Sequence, residues 1–270
     1  MINVNIFCTR HNKILVRETI VKYNKHGIFT ISVYCPEHDI DILRECLSGS
    51  GFFYLKSDYE IDPNGEFLEV IKSWNKEAVT NYPGWCYQQY LKLKLVESSD
   101  DLLVIMDGDT YIDPIYLHNC IKNKTVTATL ENIEIYNQMF RNIELGIKLR
   151  DTSYIANFGI ISPNLFRINF KSVNHLFYDI YNFCIENNTQ FIISEYQIFG
   201  NVMLDNDWNS KFFKFFRRGD LLPIKFFGLK KIINFSNFIG FDAIAFEANH
   251  SKNFLNKILA PILFIFRYSW

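Results

Sequence analysis

Along the first half of the chain, short apolar runs alternate with stretches whose apolar residues recur every three to four positions. The runs at 3–8 and 28–34 are β-branched and aromatic, which predicts strands, and the segment from Lys13 to Tyr23 between them has helical spacing. Pro36 then opens a second predicted helix, Glu37 to Leu47, and Gly51 to Leu55 reads as a third strand. The acidic, turn-rich stretch from Ser57 to Gly65 reads as a loop over the sheet edge. Leu102-Leu103-Val104-Ile105-Met106 is apolar without alternation, so it predicts a strand buried on both faces, in the middle of the sheet. Further strands are expected at 125–130 and 154–161 with a long helical segment between them, the second ending at Pro163-Asn164. Helices follow at 173–187 and 194–204. This rhythm specifies an α/β fold with a mostly parallel central sheet covered by helices on both faces. No internal repeat or low-complexity linker marks a boundary.

The 102–106 strand runs directly into Asp107-Gly108-Asp109. Open α/β sheets bind ligands outside the carboxyl ends of their strands, so two carboxylates at this position are placed for chemistry. Hard oxygen donors suit Mg2+ or Mn2+ held together with substrate phosphate oxygens. Gly108, lacking a side chain, lets a diphosphate approach the backbone. An ordinary Asp-Gly turn has the same composition, and that reading stays open. Upstream, Trp85, Gln88, Gln89 and Lys92 stand at i, i+3, i+4 and i+7, sharing one helical face, while Tyr87, Leu91 and Leu95 share another that can meet the core. An aromatic plane, two amides and an ammonium on one stripe suit a nucleotide or sugar; a merely solvated face is the alternative. Thr9, Arg10 and His11 follow the first strand, where they can cradle a base and ribose, with Arg10 on phosphate. Asp39 and Asp58 are brought near the same edge by position alone.

Gly84-Trp85 with Gln88-Gln89 and Leu91-Lys92-Leu93, followed by the aspartate motif, resembles bacterial glycosyltransferases of the GT-A fold. The similarity is to members with such a helix ahead of the metal motif, found in polysaccharide and lipopolysaccharide biosynthesis. Within that resemblance, Asn157-Phe158-Gly159-Ile160-Ile161 is similar to the glycine-containing loop beside the donor sugar. Ser194-Glu195-Tyr196 is similar to the acidic motif whose carboxylate acts as base in inverting members. His250 is similar to the C-terminal histidine that completes the metal site. The resemblance spans roughly residues 3 to 251. It implies a metal-dependent transfer of sugar from a nucleotide-diphosphate donor to a glycan or lipid-linked acceptor, with Mn2+ or Mg2+ as cofactor. Asp107, Asp109 and His250 are the implied metal ligands, with Asp109 the main carboxylate and Asp107 acting on the ribose or through water. Glu195 is the implied base. Thr9, Arg10, Trp85, Gln88, Gln89, Lys92, Gly108, Asn157 and Gly159 are the implied donor-binding set. Nothing in the sequence fixes retaining against inverting stereochemistry, and Glu195 equally suits a plain helix N-terminal acid.

Composition narrows the partners. A net charge of −1 over 270 residues argues against nucleic acid, whose binders are normally basic. Six scattered cysteines without CxxC pairs, and no signal-like N-terminus, are expected of a reduced cytosolic protein. Residues 1–207 are assigned to the nucleotide-sugar-binding core and 208–270 to a C-terminal part that completes it through His250. Residues 211–231 interleave seven basic residues with aromatics against one acid, Asp220. That texture suits the anionic inner face of the cytoplasmic membrane, near a lipid-linked acceptor; a core segment with snorkelling lysines is the alternative. The apolar run 258–266, broken by Pro261, is too short to span a bilayer. Two functions remain: the transferase, and a non-catalytic membrane-peripheral protein that binds nucleotide or glycan on the same fold. A nucleotidyltransferase shares the metal logic, but no glycine-rich phosphate loop stands near the N-terminus.

Overall fold

The computed structural model describes residues 1–77, 79–129, 133–155, 157–212, 215–217, 233 and 242–245. Its central sheet holds β1 (Ile2–Phe7), β2 (Phe29–Cys35), β3 (Tyr54–Ser57), β4 (Leu103–Asp107) and β7 (Phe158–Ile161), in the order β3-β2-β1-β4-β7. The first four strands of that order are parallel, and β7 runs antiparallel to β4. Helices pack on the sheet, giving a mixed α/β architecture of the class the sequence pattern specifies. Leu103, Val104, Ile105 and Met106 are all buried, as an apolar run without alternation requires. The strand is interior, yet the centre of the sheet is β1; β4 is fourth of five.

The chain moves outward from β1 through α1 (Lys13–Asn24) to β2, then through α2 (Ile40–Leu47) to β3. It returns through α3 (Glu66–Lys76) and α4 (Pro83–Glu97) to place β4 on the other side of β1. Strand order therefore reverses between β1 and β4, and their carboxyl ends diverge there. An aromatic cluster locks the returning helices: Phe67 of α3 stacks on Tyr90 of α4 at 4.0 Å, and Trp74 stacks on Tyr181 of α8 (Val173–Asn187) at 4.8 Å. Tyr87, Leu91 and Leu95 of α4 are buried as their spacing predicts, but so are Gln89 and Lys92 of the other stripe, so α4 is not covered on one face alone.

Several boundaries differ from the sequence expectation. The third strand begins at Tyr54, not Gly51, because Asn24 captures the Phe52 backbone, accepting from its N–H at 3.2 Å and donating to its carbonyl at 3.1 Å. The second predicted helix begins as a 3-10 turn, Glu37–Asp39, before α2. The segment expected as a strand from 154 is extended only at β7. The long helix expected before it reduces to α6 (Glu134–Asn142). The loop at 57–65 winds into two 3-10 turns, and α3 begins directly after it, capped by Asp62, which accepts from the Phe67 and Leu68 amides. Pro163 does more than end β7: it is the first residue of α7 (Pro163–Asn169).

Past the motif, β5 (Thr110–Ile112) leads into α5 (Pro114–Lys122) and β6 (Thr125–Ala128), and α9 (Glu195–Leu204) packs under β7. β8 (Asn209–Phe212) pairs with β6, while β10 (Ala243–Ala245) pairs with β5 and with β9 (Phe215–Arg217). The C-terminal part thus supplies strands to small sheets at the rim of the core. His250, most of the basic-aromatic segment 211–231 and the apolar run 258–266 lie outside the described residues. Among the described residues, no helix is long and apolar enough to cross a membrane.

Candidate active site

Where β1 and β4 diverge, a cleft of about 380 Å3 opens. One wall is the end of β1 and the loop after it, with Cys8, Thr9 and Asn12; beside it stand Asp107, Gly108 and Asp109 from the end of β4. The opposite wall is built from α4, with Trp85, Gln88 and Gln89, and from the start of α9, with Ser194, Glu195 and Tyr196. Tyr136, Ile155 and Asn157 close the remaining side. Trp85 is 39% exposed, so its indole face is open to a ligand.

Both motif carboxylates open on the cleft but differ in support. Asp107 ends β4 and is fixed by its backbone: it pairs with Phe7, and its N–H donates to the Asn157 carbonyl at 3.0 Å. Asn157 has a φ of 55°, a left-handed conformation that asparagine tolerates, and so turns that carbonyl toward β4 just before β7 begins. Asp109 lies in the turn beyond and accepts from the Thr110 hydroxyl at 3.3 Å.

Beneath the cleft the same stripe of α4 supplies a buried cation. The Lys92 side chain has no exposed surface, and its ammonium donates to Asp107 Oδ1 at 2.5 Å, Glu195 Oε1 at 2.6 Å and the Tyr196 hydroxyl at 3.2 Å. The Gln89 amide nitrogen, assigned to face the carboxylate by the hydrogen-bond network, donates to Glu195 as well. Burial pulls the Lys92 ammonium down most strongly, but the Asp107 and Glu195 charges and hydrogen bonds outweigh it, so its pKa lies above the ordinary value. Burial also raises the Glu195 carboxyl; the Lys92 charge opposes this and the Asp107 charge adds to it. Tyr196 is pushed up by burial first and then by the neighbouring carboxylates.

Of the residues singled out from sequence, Thr9, Trp85, Gln88, Gln89, Asp107, Gly108, Asp109, Asn157 and Glu195 come together around the cleft. Lys92 joins them from below. Arg10 does not line the cleft: its backbone N–H donates to the buried Asp39 carboxylate at 2.9 Å, and its side chain is 53% exposed. Gly159 sits within β7 behind the cleft, where an added Cβ would stand 2.7 Å from the Phe199 ring and 3.2 Å from the Tyr196 ring. Gly108 has a similar part: an added Cβ would fall 2.3 Å from Cys8 Cβ and 2.9 Å from Cys8 Cα. What approaches its backbone is β1, to which its N–H donates at Phe7 at 2.7 Å. Asn12, Tyr136, Ser194 and Tyr196 were not among the candidates. Ser194 had a signal, since it accepts from the Gln197 amide as the N-cap of α9.

Among the described residues, no group of three or more His, Cys, Asp or Glu side chains is arranged to hold a metal ion. Two carboxylates on one cleft nevertheless fit the donor set of Mg2+ or Mn2+, which take one or two protein carboxylates and complete their shell with substrate oxygens and water.

No family model matches the chain, and no curated protein matches its sequence. Similar solved structures include mouse xyloside xylosyltransferase 1 in its apo form, at 8% identity over 93% of this chain and 99% of that one, with a TM-score of 0.49. The galactosyltransferase LgtC in complex with donor and acceptor sugar analogs matches at 11% identity over 92% and 88%, with a TM-score of 0.46. Core-mannan synthase A from Aspergillus fumigatus, in a Mn/GDP form, matches at 7% identity over 79% and 73%, with a TM-score of 0.44. These are partial likenesses of chain path.

Proposed function

We propose that this protein is a metal-dependent glycosyltransferase of GT-A type, moving a sugar from a nucleotide-diphosphate donor to a glycan or lipid-linked acceptor in surface polysaccharide or lipopolysaccharide synthesis. The observation that supports the reading is the position of Asp107 and Asp109. They face one cleft at the point where strand order reverses between β1 and β4, the place where open α/β sheets take nucleotides. Asp109, with Asp107 beside it, would hold Mn2+ or Mg2+. When bound, the cation offsets the charge that develops on the departing diphosphate.

The chain's own groups do the rest. Trp85 offers a plane for a ring, Gln88 an amide for sugar hydroxyls, and Thr9 and Asn12 border the end nearest β1. Glu195 faces the cleft from the first turn of α9, and burial raises its pKa, as a group that accepts the acceptor's hydroxyl proton requires. The test is a panel of nucleotide sugars incubated with the purified protein with and without Mn2+, reading release of nucleoside diphosphate and free sugar. One donor should be turned over, and both EDTA and Asp109→Ala should abolish it while the circular dichroism spectrum stays unchanged. If calorimetry in Mn2+ detects binding of no donor, the reading fails.

A further inference from the structure

Two chain segments lead into the α4 and α9 wall of the cleft. Residues 79–82 run into α4, which carries Trp85, Gln88 and Gln89, and residues 190–194 run into α9, which opens on Glu195. They are tied side by side: the Phe191 N–H donates to the Val79 carbonyl at 2.7 Å, and the Asn81 amide donates to the Gln190 side-chain oxygen at 3.0 Å. The turn before α4 is fixed from inside, where the buried Thr80 hydroxyl oxygen accepts from the Tyr82 N–H at 3.1 Å and meets Cys86 Sγ at 3.2 Å. The Tyr82 ring is nonetheless 71% exposed, and Trp85, three residues on, is exposed on the cleft. Between them Gly84 has nothing within 4 Å of an added Cβ, so the helix surface there is bare. Single exposed aromatics are ordinary. Here two rings and two exposed amides, Asn81 and Gln190, share a braced shelf that ends at Glu195.

We infer that this shelf is the acceptor site, and that the acceptor is a glycan held through two consecutive sugar rings. The ring that carries the reacting hydroxyl lies on Trp85, and the next lies on Tyr82. The inference deepens the transferase reading above and rests on it. A sugar ring turns weakly positive C–H groups outward from its face, and these meet the negative face of an aromatic ring. Its hydroxyls, at the ring's rim, suit side-chain amides, which both donate and accept. Spacing orders the parts. Gln89, whose amide donates to Glu195, stands four residues beyond Trp85, or ~6 Å along the helix axis, and Tyr82 lies roughly 4.5 Å further out. The three therefore form a line leading away from Glu195 in steps of about one sugar ring. The donor takes the other wall, at Thr9, Asn12 and the aspartate motif, which leaves the first turn of α4 to the second substrate. Because the backbone bonds already hold the shelf, little ordering opposes binding.

The experiment is saturation-transfer difference NMR on the full chain, without metal or nucleotide. The probes are glucose, galactose, mannose and N-acetylglucosamine, and α- and β-linked disaccharides of each. At least one disaccharide should bind more tightly than its monosaccharides, with saturation reaching C–H protons of both rings. Tyr82→Ala should weaken that disaccharide roughly 3–10-fold, the value of one aromatic contact, and dim one ring only. Trp85→Ala should weaken it by about 10-fold or more and dim both rings. Tyr82→Phe keeps the ring without its hydroxyl and should stay within ~2-fold of the wild type. Urea midpoints of the Tyr82 variants should match the wild type, as expected of an exposed side chain, so lost binding is not lost folding. Failure of every probe to bind overturns the inference, as does a disaccharide held equally well by both alanine variants. Equal loss in Tyr82→Phe and Tyr82→Ala overturns the stacking role. The donor panel above separates this inference from the reading it rests on. Turnover of a donor without a disaccharide that depends on Tyr82 and Trp85 overturns the acceptor site alone. Disaccharide binding by a protein that takes no donor in Mn2+ overturns both, since a glycan held without a donor is not an acceptor.

Discussion

Replacing Gly108 with alanine tests whether the glycine of the aspartate motif serves the fold or a ligand. The added Cβ would stand 2.3 Å from Cys8 Cβ, 2.9 Å from Cys8 Cα and 3.1 Å from the Phe7 carbonyl oxygen. Carbon atoms rest at about 3.5–4.0 Å, so the ends of β1 and β4 must part by roughly 1 Å or more. Two of the three contacts are backbone atoms, which cannot swing aside. Parting the strands sacrifices the bond from the Gly108 amide to Phe7, now 2.7 Å. That loss costs about 1 kcal/mol net, and forcing a methyl into a packed site costs about 1–3 kcal/mol more. The expected destabilisation is therefore roughly 2–4 kcal/mol. With an m-value of about 3 kcal/mol/M, the urea midpoint should fall by about 1 M, read by ellipticity at 222 nm without any ligand. Gly84→Ala is the control: nothing lies within 4 Å of its added Cβ, and it sits in the first turn of α4. It should be neutral or stabilising by up to about 1 kcal/mol. Adding Cys8→Gly to Gly108→Ala removes the tightest contact and should recover at least about 1 kcal/mol in a double-mutant cycle. A Gly108→Ala protein as stable as the wild type, defective only in donor binding, would refute the packing argument and return Gly108 to the ligand.

Glu195→Gln keeps the size of the side chain and still accepts from Lys92, so donor binding should persist while transfer falls by at least ~10²-fold, as loss of a general base does; near-wild-type transfer clears Glu195 of the role, and NMR of the product's anomeric configuration decides stereochemistry separately. Five of the six cysteines are buried and Cys46 is half-exposed, so a thiol reagent at pH 8 should label Cys46 alone in the native protein and all six in urea. Burial pushes Cys86 up to about 11 and Cys35 up to about 12. Since these folded-state pKa values exceed the unfolded ones, their contribution is fully present below about pH 8.5 and is lost as pH rises toward 11 and 12. Urea midpoints should accordingly decline through that window, and Cys86→Ala and Cys35→Ala should flatten the decline; an unchanged slope in both variants would contradict the burial account.

Much of the molecule was legible from local pattern. The uninterrupted apolar run 102–106 read as a strand buried on both faces, and the helical spacing of α4 placed Tyr87 and Leu91 in the core, although Gln89 and Lys92 of the other stripe are buried as well. Those signals repeat within a few residues, so they survive without knowledge of the fold. Helices α3, α5 and α7 were not anticipated. Each starts at a turn or proline signal that also fits a loop, and only packing against the sheet and α4 or β6 selects the helix. The stripe correctly grouped four side chains but could not say which way each reaches. Trp85 opens to solvent, while Lys92, two turns later on the same face, ends under the cleft. Its partners stand 15 and 103 positions away, and a pairing over such distances is set by the strand order and by α9 packing beneath β7. Gly108 shows the same division. The residue is plain in the sequence, but the identity of what comes close to it depends on β1 lying beside β4, which the parallel register alone decides. Residue type and period fixed the elements and the chemistry available to them; which groups neutralise one another was decided by tertiary contact, because charge compensation and close approach act through space rather than along the chain.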